Sequence, residues 1–409
     1  MVVLGTSNTP LLNKPRPYFS KELDLYKKMK TLSLHVPLPA VLENGRVIMF
    51  VESGHGIIVI NGVKFELKEG CACLLASCHV FSIIPAPRTV LQIKCTVYDY
   101  FTTSYIQYER PVNADILVNG QPPHSICPVL EPTETTRLRL ERLTRKLEQE
   151  EATNDEQSSL IKASLYFQLL FLLNYEQVHQ AFKNTFTPPL GWKIFSFMEN
   201  FSNQWMSAQE MARIFDISVQ QLNRELRAIT GSNYSKLLNR ARLNIAGTFL
   251  PYENISLRYI ADLVGFPSEV AFINAFKAYY GMTPKDYRGD QQDQRTTLHN
   301  IVSEDLLAVI QYISQGFRED ISIRTAAAAL YSSEKRINRL TYDYAGMSFK
   351  ALLVKTRLRF ASALLLNSEM LVCDVSYAAG FPSPQTFWRQ FKSEYGVTPN
   401  EYRMRGSNG

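Results

Sequence analysis

Gln220, Asn223 and Arg224 stand at positions i, i+3 and i+4, and 115 residues later the same offsets hold Lys335, Asn338 and Arg339, with Arg336 beside them. A further group, Gln385, Thr386 and Arg389, has a similar one-sided spacing. On a helix each group projects from one face. Carboxamide and guanidinium groups so placed match the paired donors and acceptors on base edges in a DNA major groove. Lys277, Arg288, Lys392 and Arg403 are cations suited to phosphate oxygens, contacts that position a duplex without reading it. The blander use of Arg224 and Arg339 is a salt bridge on a solvated helix face. Bond-breaking chemistry is poorly provided for. His55 and His79 stand apart, no His-x-His pair exists, and Cys71, Cys73 and Cys78 lack the paired spacing of a zinc site. No catalytic residue, metal or cofactor is therefore expected.

These side chains need short, well-stopped helices to carry them. Trp192 to Phe201 reads as an apolar-rich opening helix, and Ser207 can cap the next one. Asp216-Ile217-Ser218 makes a tight turn, Ser218 can cap a helix to about Ile229, and Gly231 closes it. Val219, Leu222, Leu226 and Ile229 form the buried stripe of that helix, opposite Gln220, Asn223, Arg224 and Arg227. A helix of about 24 Å, at 1.5 Å per residue, connects this pair to a second one. In the second pair Tyr259 to Val264 is followed by the turn Gly265-Phe266-Pro267 and a helix from Ser268 to about Tyr280. Two helix-turn-helix pairs on one stiff connector suit two neighbouring grooves of a duplex.

The whole unit is present twice. Residues 231–288 align with 346–403 without a gap, and GFPSEVAFINAFKAYYGMTPKDYR at Gly265 answers GFPSPQTFWRQFKSEYGVTPNEYR at Gly380. Arg242-Leu243 falls on Arg357-Leu358, and Phe272 and Phe276 fall on Phe387 and Phe391, four rings expected in the core. Two copies make a pair of domains and not a solenoid. The Gly-Phe-Pro-Ser, Phe-x3-Phe-Lys and Tyr-Gly-x-Thr-Pro-x-x-Tyr-Arg signatures, each present twice, resemble those of the AraC/XylS family of bacterial transcription regulators. That resemblance implies sequence-specific binding to double-stranded DNA, with the two outer helices of each unit entering successive major grooves. It also tilts the outcome toward activation and a contact with RNA polymerase. Two full units depart from the single one usual in the family. By the family pattern the second reading helix of the first unit presents Val270, Ala271 and Asn274, a face too apolar for base readout, so most specificity is expected from the second unit.

Upstream the pattern changes to short runs, among them VIMFV, GIIVI and LQIKCTVY, with an Asn61-Gly62 hairpin signal. This part resembles the cupin-like sensor of AraC-type regulators, and the resemblance implies an effector pocket that His79, Phe81 and Tyr98 could line. Two helices follow, about 133–151 and 159–180. LIKASLYFQLLFLLN in the second is apolar nearly all round, which means burial against something. Related sensors use such helices to form a homodimer; the alternative is that they only cover the β domain.

The overall reading is an α+β multidomain chain: a cupin-like sensor over 1–130, a helical dimerisation or linker region over 131–188, and all-α double helix-turn-helix domains over 189–289 and 300–405. The partners expected are DNA, a small-molecule effector, RNA polymerase and a second copy of the chain. A constitutive or architectural DNA binder, whose N-terminal domain merely dimerises, is the alternative. Composition agrees, with 45% hydrophobic and 20% charged residues. Of the net charge of +6, residues 189–409 supply +5, as a phosphate-facing half would. No run of about 18 apolar residues could cross a membrane. The opening MVVLGTSNTP lacks a secretory pattern, and six cysteines without one suggest a reducing, cytoplasmic setting.

Overall fold

A computed structural model describes residues 29–42, 46–76, 78–98, 127–151, 156–181, 188–201, 206–250, 255–292 and 304–407. The N-terminal part is a sandwich of two antiparallel sheets. One contains β1 (Lys30–Leu34), β8 (Leu91–Tyr98), β3 (Arg46–Ser53), β6 (Ala72–Leu75) and β9 (Val129–Leu130), in that order. The other runs β2 (Leu38–Leu42), β7 (Val80–Pro85), β4 (His55–Ile60) and β5 (Val63–Lys68). Asn61 and Gly62, both at positive φ, turn β4 into β5, as their sequence predicts. Asn61 also ties this turn to the loop before β7: its Nδ2 donates to Cys78 O, and its Oδ1 accepts from Val80 N.

The β3 strand shows why VIMFV has no polar alternation. Val47, Met49 and Val51 face the sandwich core, whereas Ile48 and Phe50 pack outward against two helices. These are α1 (Glu134–Glu151) and α2 (Glu156–Ala181), which lay Leu140, Leu147, Leu165, Leu169 and Leu173 on the outer face of the five-stranded sheet. The nearly buried Lys94 of β8 fastens α1 in place through Glu148, 2.7 Å away, with Glu52 at 3.4 Å. Cys71, Cys73 and Cys95 lie in the sandwich core.

Sixteen helices are described in all, and the last fourteen fall into two units. The first unit holds α3 (Leu190–Phe201), α4 (Ala208–Ile214), α5 (Val219–Thr230), α6 (Tyr234–Phe249), α7 (Leu257–Val264), α8 (Glu269–Tyr280) and α9 (Pro284–Gln292). The second holds α10 (Glu304–Gly316), α11 (Ile323–Ala329), α12 (Glu334–Ala345), α13 (Phe349–Asn367), α14 (Val372–Ala378), α15 (Pro384–Tyr395) and α16 (Pro399–Ser407). The offset of 115 relates α4, α5, α8 and α9 to α11, α12, α15 and α16 at both ends, so the duplication reaches well before residue 231. Between the two expected domains, residues 290–292 form the end of α9, and 293–303 lie outside the described residues.

The expected boundary at residue 189 is not a gap between independent bodies. Trp192 of α3 is fully buried in the sandwich core, edge-on to Phe65 and to His79. On its other side α3 packs into a cluster that continues into the second unit, where Phe197 meets Phe360. Arg240 of α6 and Glu199 of α3, both nearly buried, pair at 2.8 Å and lock the connector to this helix.

Candidate nucleic-acid interface

Four short helix pairs share one local design: α4–α5, α7–α8, α11–α12 and α14–α15. The turn of each contains a residue in the left-handed region: Asp216 at φ 52°, Gly265 at 86°, Tyr331 at 49° and Gly380 at 80°. In each pair a backbone N–H just past that residue bonds back to the first helix, through Ile217 to Ala212, Phe266 to Ala261, Ser332 to Ala327 and Phe381 to Ser376. Ser218, Ser268, Ser333 and Ser383 then cap the second helices, and Gly231, Gly281, Gly346 and Gly396 end them in the left-handed conformation. Leu222 and Leu226, Phe272 and Phe276, Ile337 and Thr341, and Phe387 and Phe391 are buried beneath, so the four aromatic rings are core as expected.

The opposite faces meet solvent. Gln220, Arg224 and Arg227 are exposed on α5, Lys335, Arg336, Asn338 and Arg339 on α12, and Gln385, Arg389 and Lys392 on α15. Arg224 lies 3.4 Å from Glu225 and Arg339 3.6 Å from Asp343, yet their side chains remain 72% and 82% exposed. Solvated pairs of this kind contribute about 0–1 kcal/mol, so a phosphate or base can displace them. Arg336 is paired with Asp305 of α10. Thr386 is half-buried and belongs partly to the cap, since its Oγ1 accepts from Ser383 Oγ at 3.0 Å. On α8 the exposed face is Val270, Asn274 and Lys277, with Ala271 half-buried.

Two sequence assignments need correction. Asn223 Oδ1 accepts from the backbone N–H of Tyr234 at 2.9 Å, and its Nδ2 donates to Val219 O. Asn338 Oδ1 likewise accepts from Phe349 N at 3.1 Å. Each is a strap from a reading helix to the start of the connector; Asn223 uses both ends of its amide in this way, and Asn338 commits its oxygen. Arg288 and Arg403 also turn inward. The Arg288 guanidinium bonds Leu250 O and Ile255 O, and that of Arg403 bonds Leu365 O and Met370 O. They hold the closing helix to the end of the connector and to the segment before the next pair. Arg357 clamps Phe317 O and Glu319 O in the same way. Among the predicted phosphate contacts, Lys277 and Lys392 remain on the surface.

Sequence reading passed over Trp388 and Tyr342. Trp388 is 50% exposed and Tyr342 65% exposed, each on the outward stripe of its helix. Apolar residues beside a buried ring are easily taken as core; the signal is that Trp388 falls three positions after Gln385 and out of phase with Phe387 and Phe391.

A family profile described as a helix-turn-helix domain matches this chain twice, over residues 211–290 and 326–405. The two matched stretches are AraC-type helix-turn-helix domains in tandem. Among similar curated proteins are the HTH-type transcriptional activators RhaS of Shigella dysenteriae serotype 1 and of Escherichia coli O139:H28. Each is 25% identical, and the match covers 59% of this chain and 84% of the relative. Among solved structures, ToxT from Vibrio cholerae O395 aligns over 64% of this chain and 94% of its own at 16% identity, with a TM-score of 0.29. A DNA-binding transcriptional dual regulator from Escherichia coli K-12 aligns over 27% and 99% at 25% identity, with a TM-score of 0.25.

Of the expected effector-pocket residues, His79 and Phe81 are both buried. His79 Nδ1 accepts from Ala76 N at 3.0 Å, and its ring lies 5.1 Å from that of Trp192. Phe81 is wholly inside the sandwich core, and the side chain of Tyr98 lies outside the described residues. No group of three or more His, Cys, Asp or Glu suited to a metal occurs among the described residues, and no described helix is long and apolar enough to cross a membrane.

Proposed function

We propose that this regulator activates transcription, that its second unit reads DNA sequence, and that the sandwich domain controls how the first unit is presented. The observation that carries the division of labour is the contrast between equivalent helices. The outward face of α15 holds Gln385, Arg389 and Lys392, where that of α8 holds Val270, Asn274 and Lys277. Amide and guanidinium groups read base edges; a valine does not. The first unit then adds affinity through Gln220, Arg224 and Arg227. The names of the RhaS relatives favour activation, which brings RNA polymerase in as a partner.

Control from the sandwich rests on α3. Trp192 sits among the β-strand residues, and Ile229 of the reading helix α5 packs on the same cluster. Gly191 makes this approach possible, since a Cβ there would lie 2.7 Å from Ile229 Cδ1 and 2.9 Å from Glu225 O. A small effector that alters the sandwich core would shift the populations of α3 and α5 together. Dimerisation is supported by α2, whose sheet-facing side is buried while Phe167, Phe171 and Tyr175 form an exposed stripe at i, i+4 and i+8. Phe171→Glu should convert the dimer to monomer in sedimentation velocity; an unchanged sedimentation coefficient rejects that interface.

The experiment for the main reading is selection of bound duplexes from a random library, using the full chain. Arg389→Ala should relax one position and cost about 1–3 kcal/mol of specific binding, whereas Asn274→Ala should leave the selected motif intact. Equal losses from both substitutions would reject the division of labour.

A further inference from the structure

We infer that Trp388 is a specificity-determining residue: its indole makes an apolar contact with the methyl group of one thymine in the major groove entered by α15. This rests on the proposal that α15 reads DNA and adds a base identity that polar groups alone would not select.

Trp388 is half exposed, on a helix anchored by other, fully buried residues. Phe387 and Phe391 are fully buried on the inner side, Ser383 caps the start, and Gly396 ends the helix. Phe387 meets Phe381 and Phe391, and Phe391 meets Tyr395 and Tyr402, an aromatic chain that Trp388 does not enter. The backbone beneath Trp388 is therefore held by other residues, and the indole is displayed on the surface.

Its neighbours define what it is displayed toward. Gln385 is one turn before it, Arg389 follows it directly and Lys392 is one turn on, all three exposed. A stripe of amide, indole, guanidinium and ammonium thus presents one large apolar surface flanked by groups suited to base edges and phosphate. In the major groove the apolar feature available to such a surface is the C5-methyl of thymine. The aligned position of the first unit holds Ile273, which is less exposed and stands beside Val270 and Asn274, on a face without a guanidinium. The indole is confined to the half-unit already best equipped for readout.

The test uses the full chain and duplexes carrying its selected site, with each thymine in turn replaced by uracil, which removes only the methyl group. Wild type should lose about four-fold in affinity at one position of the α15 half-site, the order expected for one buried methyl group. Trp388→Ala should bind the thymine and uracil duplexes equally at that position, while its response at the other thymines is unchanged. Trp388→Phe should keep part of the discrimination, and both variants should melt with wild type because the indole lies outside the core. A Trp388→Ala protein that still discriminates at every thymine, or a wild type that discriminates at none, would overturn the inference while leaving DNA reading by α15 intact. A wild type that enriches no sequence would instead remove the reading on which the inference stands.

Discussion

Tyr331 occupies the left-handed turn position of its helix pair with a side chain 99% exposed. The equivalent turns use Gly265, Gly380 and Asp216, residue types that adopt this conformation at lower cost. Left-handed backbone costs most residues roughly 1–2 kcal/mol, and here no packing of the ring offsets it. Tyr331→Gly should therefore stabilise the protein, even after the entropy that glycine adds to the unfolded chain, by up to about 1 kcal/mol. A denaturant midpoint equal to or below wild type would show that the tyrosine is held by something its exposure does not reveal. Sequence reading located this turn in the first unit through Asp216-Ile217-Ser218, but residue type alone gave no sign that a tyrosine would take the same backbone. The backbone is dictated by the hydrogen bond from Ser332 to Ala327, not by the side chain.

At the level of elements, the cationic residues divide into clamps and surface charges, although all four looked alike in sequence. Arg403 spends its guanidinium on two carbonyl oxygens, of Leu365 and Met370, whereas Lys392 stands on the outward face of α15. Arg403→Met should lower stability by about 1–3 kcal/mol, because buried acceptors lose their donor, and leave the salt dependence of DNA binding unchanged. Lys392→Ala should do the reverse, reducing the slope of log affinity against log salt by about one with little effect on melting. If the Arg403 variant also lowers that slope, the clamp is not its main role. The distinction was hidden because a guanidinium bonds phosphate and carbonyl oxygens alike, and the carbonyls come from residues 33 and 38 positions earlier.

Across the whole molecule, α3 joins parts that the sequence suggested were separate. It gives Trp192 to the sandwich, Phe197 to a contact with the second unit, and Glu199 to the buried pair with Arg240. Glu210 and Arg318 add a surface link between the two units at 3.4 Å. Trp192→Ala should cost about 3–5 kcal/mol, as removal of a buried aromatic does. Calorimetry should show the β domain and the helical units melting as one transition in wild type and as two in the variant. Two transitions already present in wild type would mean that α3 does not couple them.

Helix starts and stops, the duplication, the Asn-Gly hairpin and the aromatic core of each unit were all legible in the sequence. They depend on local chemistry: capping hydroxyls, glycines at left-handed ends, and apolar residues repeating with the period of a helix or a strand. Only the tertiary structure decided that Asn223, Asn338, Arg288 and Arg403 serve the fold, that Trp388 faces outward, and that Trp192 belongs to the sandwich. Those outcomes depend on which distant backbone groups arrive within hydrogen-bonding or packing range. A side chain able to bond DNA is equally able to bond its own chain, and the choice is made by whichever partner the fold brings near.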